Sequence, residues 1–215
     1  MAKYKIIDYV YPTTGELARL ILQYKDVEYD DEKVDSPDRL YEAEEDSPFG
    51  VLPILLVDGK VVAQQNGIPR YLARELDLIG RNNEEAAICD MVMEMALGVM
   101  FSKAERKPNL EARCQQQIAL FKQMIEEDVP RFLAKYERFL EKSDLKSGYL
   151  ASEQLTWCDL GVALTFAGMQ IRQPKLLEKY PRLKHFVDKV TANDVVSHFV
   201  ETELAPSAVL RKNSM

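Results

Sequence analysis

Residues 47–75 read SPFGVLPILLVDGKVVAQQNGIPRYLARE, and the rest of the chain is organised around this stretch. Ile54 to Val57 is a short apolar run of the kind that forms a buried strand. Asp58-Gly59 supplies a tight hairpin turn, and Val61-Val62 begins the returning strand. After Gln64-Gln65 the period changes, with Ile68, Tyr71, Leu72 and Leu76 at helical spacing. Leu52-Pro53 is a candidate cis peptide, since proline is almost the only residue that makes the cis form accessible. A turn held there leaves the main-chain N–H and C=O of Leu52 facing outward, able to pair with an extended peptide. Pro69 fixes the start of the following helix. Capping by Asn66, rather than one residue earlier, puts Pro69 in the first turn, where its missing N–H costs no bond.

Working back to the N-terminus, Tyr4 to Val10 reads as a strand, with Tyr4, Ile6 and Asp8 on one face and Lys5, Ile7 and Tyr9 on the other. Pro12-Thr13-Thr14-Gly15 forms a turn whose threonines are expected to cap the next helix, and Leu17, Leu20, Ile21 and Tyr24 give that helix an apolar stripe. Glu28 to Val34 is a second strand. Ser36-Pro37 reads as N-cap and first position of a short acidic helix reaching Glu45. With the hairpin and the last helix the order is βαβαββα, the thioredoxin-like arrangement. Its β-α-β crossover calls for a mixed sheet with helices on both faces.

Downstream, residues 78–83 are a Gly- and Asn-bearing linker, and from Glu84 the pattern is helical to about residue 203. A long helix runs from Glu84 to about Lys103, and Met91, Met93, Met95 and Met100 on it read as core filler. Lys107-Pro108-Asn109 breaks the chain, and Leu110 to Leu140 is expected as a second long helix kinked at Pro130. In Leu155-Thr156-Trp157-Cys158-Asp159, Thr156 caps a buried helix and Asp159 reaches back to it, so both are read as structural. Domain boundaries follow at residues 1–77, 84–203 and a tail from 204 to 215.

Composition narrows the function. The 215 residues are 47% apolar and 29% charged, with a net charge of −7. That balance disfavours nucleic acid or an anionic membrane as partner, because either needs a basic face. No apolar run approaches the ~20 residues of a membrane span. Three scattered cysteines, Cys89, Cys114 and Cys158, point to a reduced, cytoplasmic setting. His185 and His198 lie on different expected helices, which supports neither a metal site nor a Cys–His pair.

The proline–hairpin–helix order resembles the glutathione S-transferase superfamily. The family pattern P-[IV]-L…DG…Q-S-x-A-I-x-R-Y-L-A is met by Pro53-Ile54-Leu55, Asp58-Gly59 and the run from Gln64 to Ala73. Tyr4-Lys5 and Gly15-Glu16-Leu17-Ala18-Arg19 are most similar to the sigma class, which includes haematopoietic prostaglandin D synthase and the lens S-crystallins. Gly148-Tyr149-Leu150 and the run from Leu155 to Leu160 match the second signature. The resemblance implies a thioredoxin-like domain followed by a helical-bundle domain, a homodimer, and glutathione as co-substrate with no other cofactor. It makes Arg19 structural.

It also implies a set of glutathione contacts, and most are replaced. The catalytic tyrosine, whose hydroxyl favours the glutathione thiolate, falls on Asp8, which is ionised at neutral pH and cannot donate. Tyr9 or Tyr11 could substitute only through a local shift, since alternation aims Tyr9 at the opposite face. A tryptophan and a lysine fall near Leu40 and Glu44, and Glu44 reverses the lysine's charge. A donor side chain becomes Val51. An acidic residue that reaches a partner's glutathione falls near Gly98. Leu52, Pro53 and Gln64 remain, while the serine beside Gln64 becomes the bulkier Gln65. Phe49 is a candidate dimer anchor. Three readings follow: a non-catalytic, crystallin-like or repurposed relative with lost or weak conjugation; an active transferase or isomerase rebuilt around Tyr9 or Tyr11; and a carrier of an apolar ligand or partner protein between the domains.

Overall fold

The computed structural model describes residues 3–9, 14–101 and 129–204. Its sheet has four strands, β1 (Tyr4–Tyr9), β2 (Tyr29–Val34), β3 (Ile54–Val57) and β4 (Lys60–Ala63), in the order β2-β1-β3-β4. β1 and β2 run parallel, whereas β3 pairs antiparallel with both β1 and β4. The β3–β4 turn forms because Asp58 and Gly59 both take positive φ, 49° and 81°, which matches the twist of the flanking strands.

Strand alternation sorts the apolar residues into two layers. Ile6 and Leu55 enter a large core with α1 (Glu16–Tyr24) and α3 (Gly67–Glu75). Ile7 and Ile54, their neighbours along the same strands, instead meet Ala43 of α2 (Pro37–Asp46) on the other face. The mixed sheet with helices on both faces is therefore present.

The helix starts follow local chemistry in position, but two of the expected side-chain caps, at α1 and at α3, are not made. Ser36 caps α2, accepting the Arg39 N–H at 3.4 Å, and Pro37 follows it. Asn66 is the N-cap residue of α3, so Pro69 falls in the first turn. For α1, however, the N-cap is Gly15 in a helical conformation, with no side-chain cap. Thr14 does not cap it, and Pro12 and Thr13 lie outside the described residues.

The second half contains α4 (Asn83–Phe101), α5 (Val129–Glu141), α6 (Trp157–Arg172), α7 (Pro181–Thr191) and α8 (Asp194–Phe199), with a wide π-helical turn at Val200–Leu204. Most of the helix expected over Leu110–Leu140 falls outside the described residues. Met93 is core, as expected, but Met91 is exposed. The main core is continuous between the halves: Leu20 and Leu72 belong to the same cluster as Val92, Trp157, Leu160 and Phe166. Leu78 is buried, and its carbonyl accepts the main-chain N–H of Trp157 at 2.9 Å. Among the described residues no helix is long and apolar enough to cross a membrane.

Candidate functional site

At the end of β1, alternation sends consecutive side chains to opposite faces of the sheet, and this separates Asp8 from Tyr9. Asp8 points towards α1 and is completely buried. Its Oδ2 accepts from Arg19 Nη1 at 3.1 Å, and its Oδ1 accepts the Tyr9 main-chain N–H at 2.8 Å. Arg19 sits one turn along α1 from Glu16, whose Oε1 accepts from the same Nη1 at 3.1 Å. Asp31 on β2 takes the Arg19 Nε and Nη2 at 3.0 and 2.9 Å. One buried guanidinium thus serves three carboxylates. Burial alone would lower the Arg19 pKa, but Asp31, Glu16 and Asp8 together hold it above its ordinary value. Glu16 is raised, chiefly by burial, and its Oε2 has no hydrogen-bond partner among the described residues.

Gly15 makes this packing possible. A Cβ there would lie 2.3 Å from Asp8 Oδ2, closer than any real contact. Asp8 is accordingly a buried counter-ion rather than a donor facing a ligand.

Tyr9 belongs to the other face. It is half-buried and, with Leu40, packs against Ile7, Ala43, Leu52 and Ile54. Its hydroxyl donates to Glu44 Oε1 at 3.4 Å. Tyr11 lies outside the described residues. The Leu52–Pro53 bond is cis, and among the described residues neither main-chain polar group of Leu52 has a hydrogen-bond partner. Ser47 Oγ accepts the Val51 N–H at 3.3 Å and donates to the Val51 carbonyl at 2.7 Å, so Val51 is already engaged. That loop carries Phe49, 67% exposed.

Gln64, exposed with φ of 79°, and half-buried Gln65 lie just before α3. Asn66 is drawn away from capping: its Nδ2 donates to Glu94 Oε1 on α4 at 2.8 Å. Arg70 donates to Asp90 at 2.7 Å and lies 5.7 Å from the Trp157 ring centroid. The side chain region that includes residue 98 is not described.

Elsewhere, Asp159 Oδ2 accepts both the main-chain N–H and the hydroxyl of Thr156 at 2.7 Å, and Oδ1 accepts the Leu150 N–H at 2.8 Å. Burial pushes Asp159 up to about 6. Cys158 is fully buried and its pKa is raised by burial, unlike an activated nucleophile. Among the described residues no group of His, Cys, Asp and Glu could hold a metal ion.

Sequence reasoning missed the partners of the expected residues. Nothing in the spacing joins Asp31 to Arg19, because β2 reaches α1 only through the parallel pairing. The Gly15–Asp8 contact was equally hidden. Glu94, one turn along α4 from Asp90, could have been suspected from helix periodicity.

The chain matches the family models for the glutathione S-transferase N-terminal domain over residues 2–74 and C-terminal domain over residues 104–203. It is 30% identical over 205 residues to probable glutathione S-transferase 9 of Caenorhabditis elegans, covering 94% of this chain and 97% of that protein. Human hematopoietic prostaglandin D synthase is 26% identical over 203 residues, with coverage of 94% and 96%. The crystal structure of monomeric Na-GST-3, a glutathione S-transferase of the hookworm Necator americanus, superposes with a TM-score of 0.75 at 27% identity, covering 93% of this chain and 97% of that one. On matched domains, shared fold and identity over nearly its whole length, the chain belongs to the glutathione S-transferase superfamily.

Proposed function

We propose that ordinary glutathione conjugation is lost or very weak in this chain, and that the fold serves a structural, crystallin-like or repurposed binding role. The observation that carries this is Asp8. A carboxylate stands where the resemblance places the family's hydroxyl donor, and it is buried against Arg19 at 3.1 Å. A carboxylate committed to a guanidinium in this way supplies no hydroxyl donor to a thiolate. Tyr9, the described substitute, directs its hydroxyl to Glu44 instead.

A binding role is favoured by Leu52, whose main-chain N–H and C=O have no partner among the described residues beside Pro53. Gln64 and Gln65, with side chains uncommitted among the described residues, would flank a peptide ligand paired there. The test is calorimetric titration with glutathione, together with an assay of thioether formation on an aryl halide. Glutathione binding without turnover above background is the expected outcome. Turnover abolished by Tyr9→Phe or Tyr11→Phe would replace this reading with that of a rebuilt enzyme.

A cytoplasmic homodimer fits the acidic composition and the free, buried Cys89 and Cys158. Phe49, presented by the Ser47 loop, is the proposed anchor. Sedimentation should show Phe49→Ser shifted towards monomer. An unchanged sedimentation coefficient would place the anchor elsewhere.

A further inference from the structure

The surroundings of Leu52 carry a charge preference, and this inference rests on the reading that its main chain still takes an extended peptide. A single residue exchanges both its N–H and its C=O with one partner residue only in antiparallel pairing. A ligand bound to Leu52 in that way must run opposite to the chain. Its C-terminal end then points back towards Val51 and Ser47, at the C-terminal end of α2.

That end of the site is acidic. α2 carries Asp38, Glu42, Glu44, Glu45 and Asp46 against a single cation, Arg39. Arg39 is already held by Glu32 on β2 at 2.5 Å and lies 3.5 Å from Glu42. Glu44 has no cationic partner among the described residues. Tyr9, packed on the same cluster as Leu52, holds it through the 3.4 Å hydroxyl bond, so the carboxylate is fixed at the rim of the Leu52 patch. The C-terminal end of a helix adds partial negative charge of its own. Among the described residues, a ligand carboxylate arriving here meets the acidic end of α2 and Glu44, whereas an ammonium or guanidinium finds a positioned acceptor.

We infer that the Leu52 site selects extended peptides whose C-terminal end is cationic, of the peptidyl-amine class, and discriminates against free C-terminal carboxylates, with Glu44 as the selecting residue. Three probes differing only in that end test this by calorimetry: glutathione, glutathione amidated at its glycine carboxyl, and glutathione joined through that carboxyl to a diamine. The cationic probe should bind tightest and glutathione weakest, by about tenfold at low ionic strength, the spread shrinking as salt screens it. Glu44→Lys should invert the order, and Glu44→Gln should flatten it. Equal binding of the three probes, or an order that Glu44→Lys leaves unchanged, overturns the charge inference while the peptide-binding reading stands. Failure of all three to bind overturns both.

Discussion

Asp8 and Gly15 form a matched pair: the carboxylate occupies the space that any larger residue 15 would need. Gly15→Ala is expected to destabilise the protein by about 1–3 kcal/mol, the usual cost of forcing an atom into packed space. In an Asp8→Ala background the same change should cost much less, because the blocking oxygen is gone. Arg19 would still have Glu16 and Asp31. Urea unfolding of the two single variants and the double should return a coupling of about 1 kcal/mol or more, and additive effects would show that Asp8 simply rotates away. The broader lesson at this scale is that one substitution in β1 is legible as chemistry only with its neighbours. The sequence places a carboxylate at position 8, but its burial and its guanidinium partner come from α1 and β2 folding onto β1.

Among the elements, α6 starts on a polar group that the fold has buried. Asp159 is raised to about 6 from 3.8 by burial, against the opposing pull of its bonds from Thr156 and Leu150. The folded state therefore holds this proton more tightly than the unfolded state. Stability from this group is present at low pH and falls as pH rises through the window from about 4 to about 6, after which it is level. At about 1.4 kcal/mol per pH unit the change amounts to roughly 3 kcal/mol. Measured by urea unfolding, the stability of wild type relative to Asp159→Asn should decline by up to that amount between pH 4 and pH 6. A flat difference would mean that the three hydrogen bonds cancel the burial cost. Thr156 and Asp159 were recognisable as a cap from their spacing alone. The raised pKa was not, because desolvation depends on what α6 is packed against.

For the whole molecule, the two halves share one core and are joined by polar contacts at the rim. Arg70 and Asn66 of α3 reach Asp90 and Glu94 of α4, and Arg70 also lies against Trp157, the chain's single tryptophan. Trp157 is thus a reporter for the joint. Arg70→Ala should change its emission and lower stability by about 1 kcal/mol, an exposed-to-half-buried ion pair being worth little more. Because the core is continuous, unfolding followed by Trp157 emission and by far-ultraviolet circular dichroism should coincide in a single transition. Two separated transitions would show that the halves fold independently. The sequence by itself determined the family, the βαβαββα order, the hairpin at Asp58-Gly59 and the late start of α3. Those features depend on local backbone preferences and short-range periodicity, which survive in the linear chain. Only the tertiary structure decided that Asp8 is a buried counter-ion, that Gly15 makes room for it, that Tyr9 holds Glu44, and that Glu94 draws Asn66 from the end of its helix. These depend on residues brought together from different elements, and side-chain spacing along one strand or helix contains no record of what the opposite element presents.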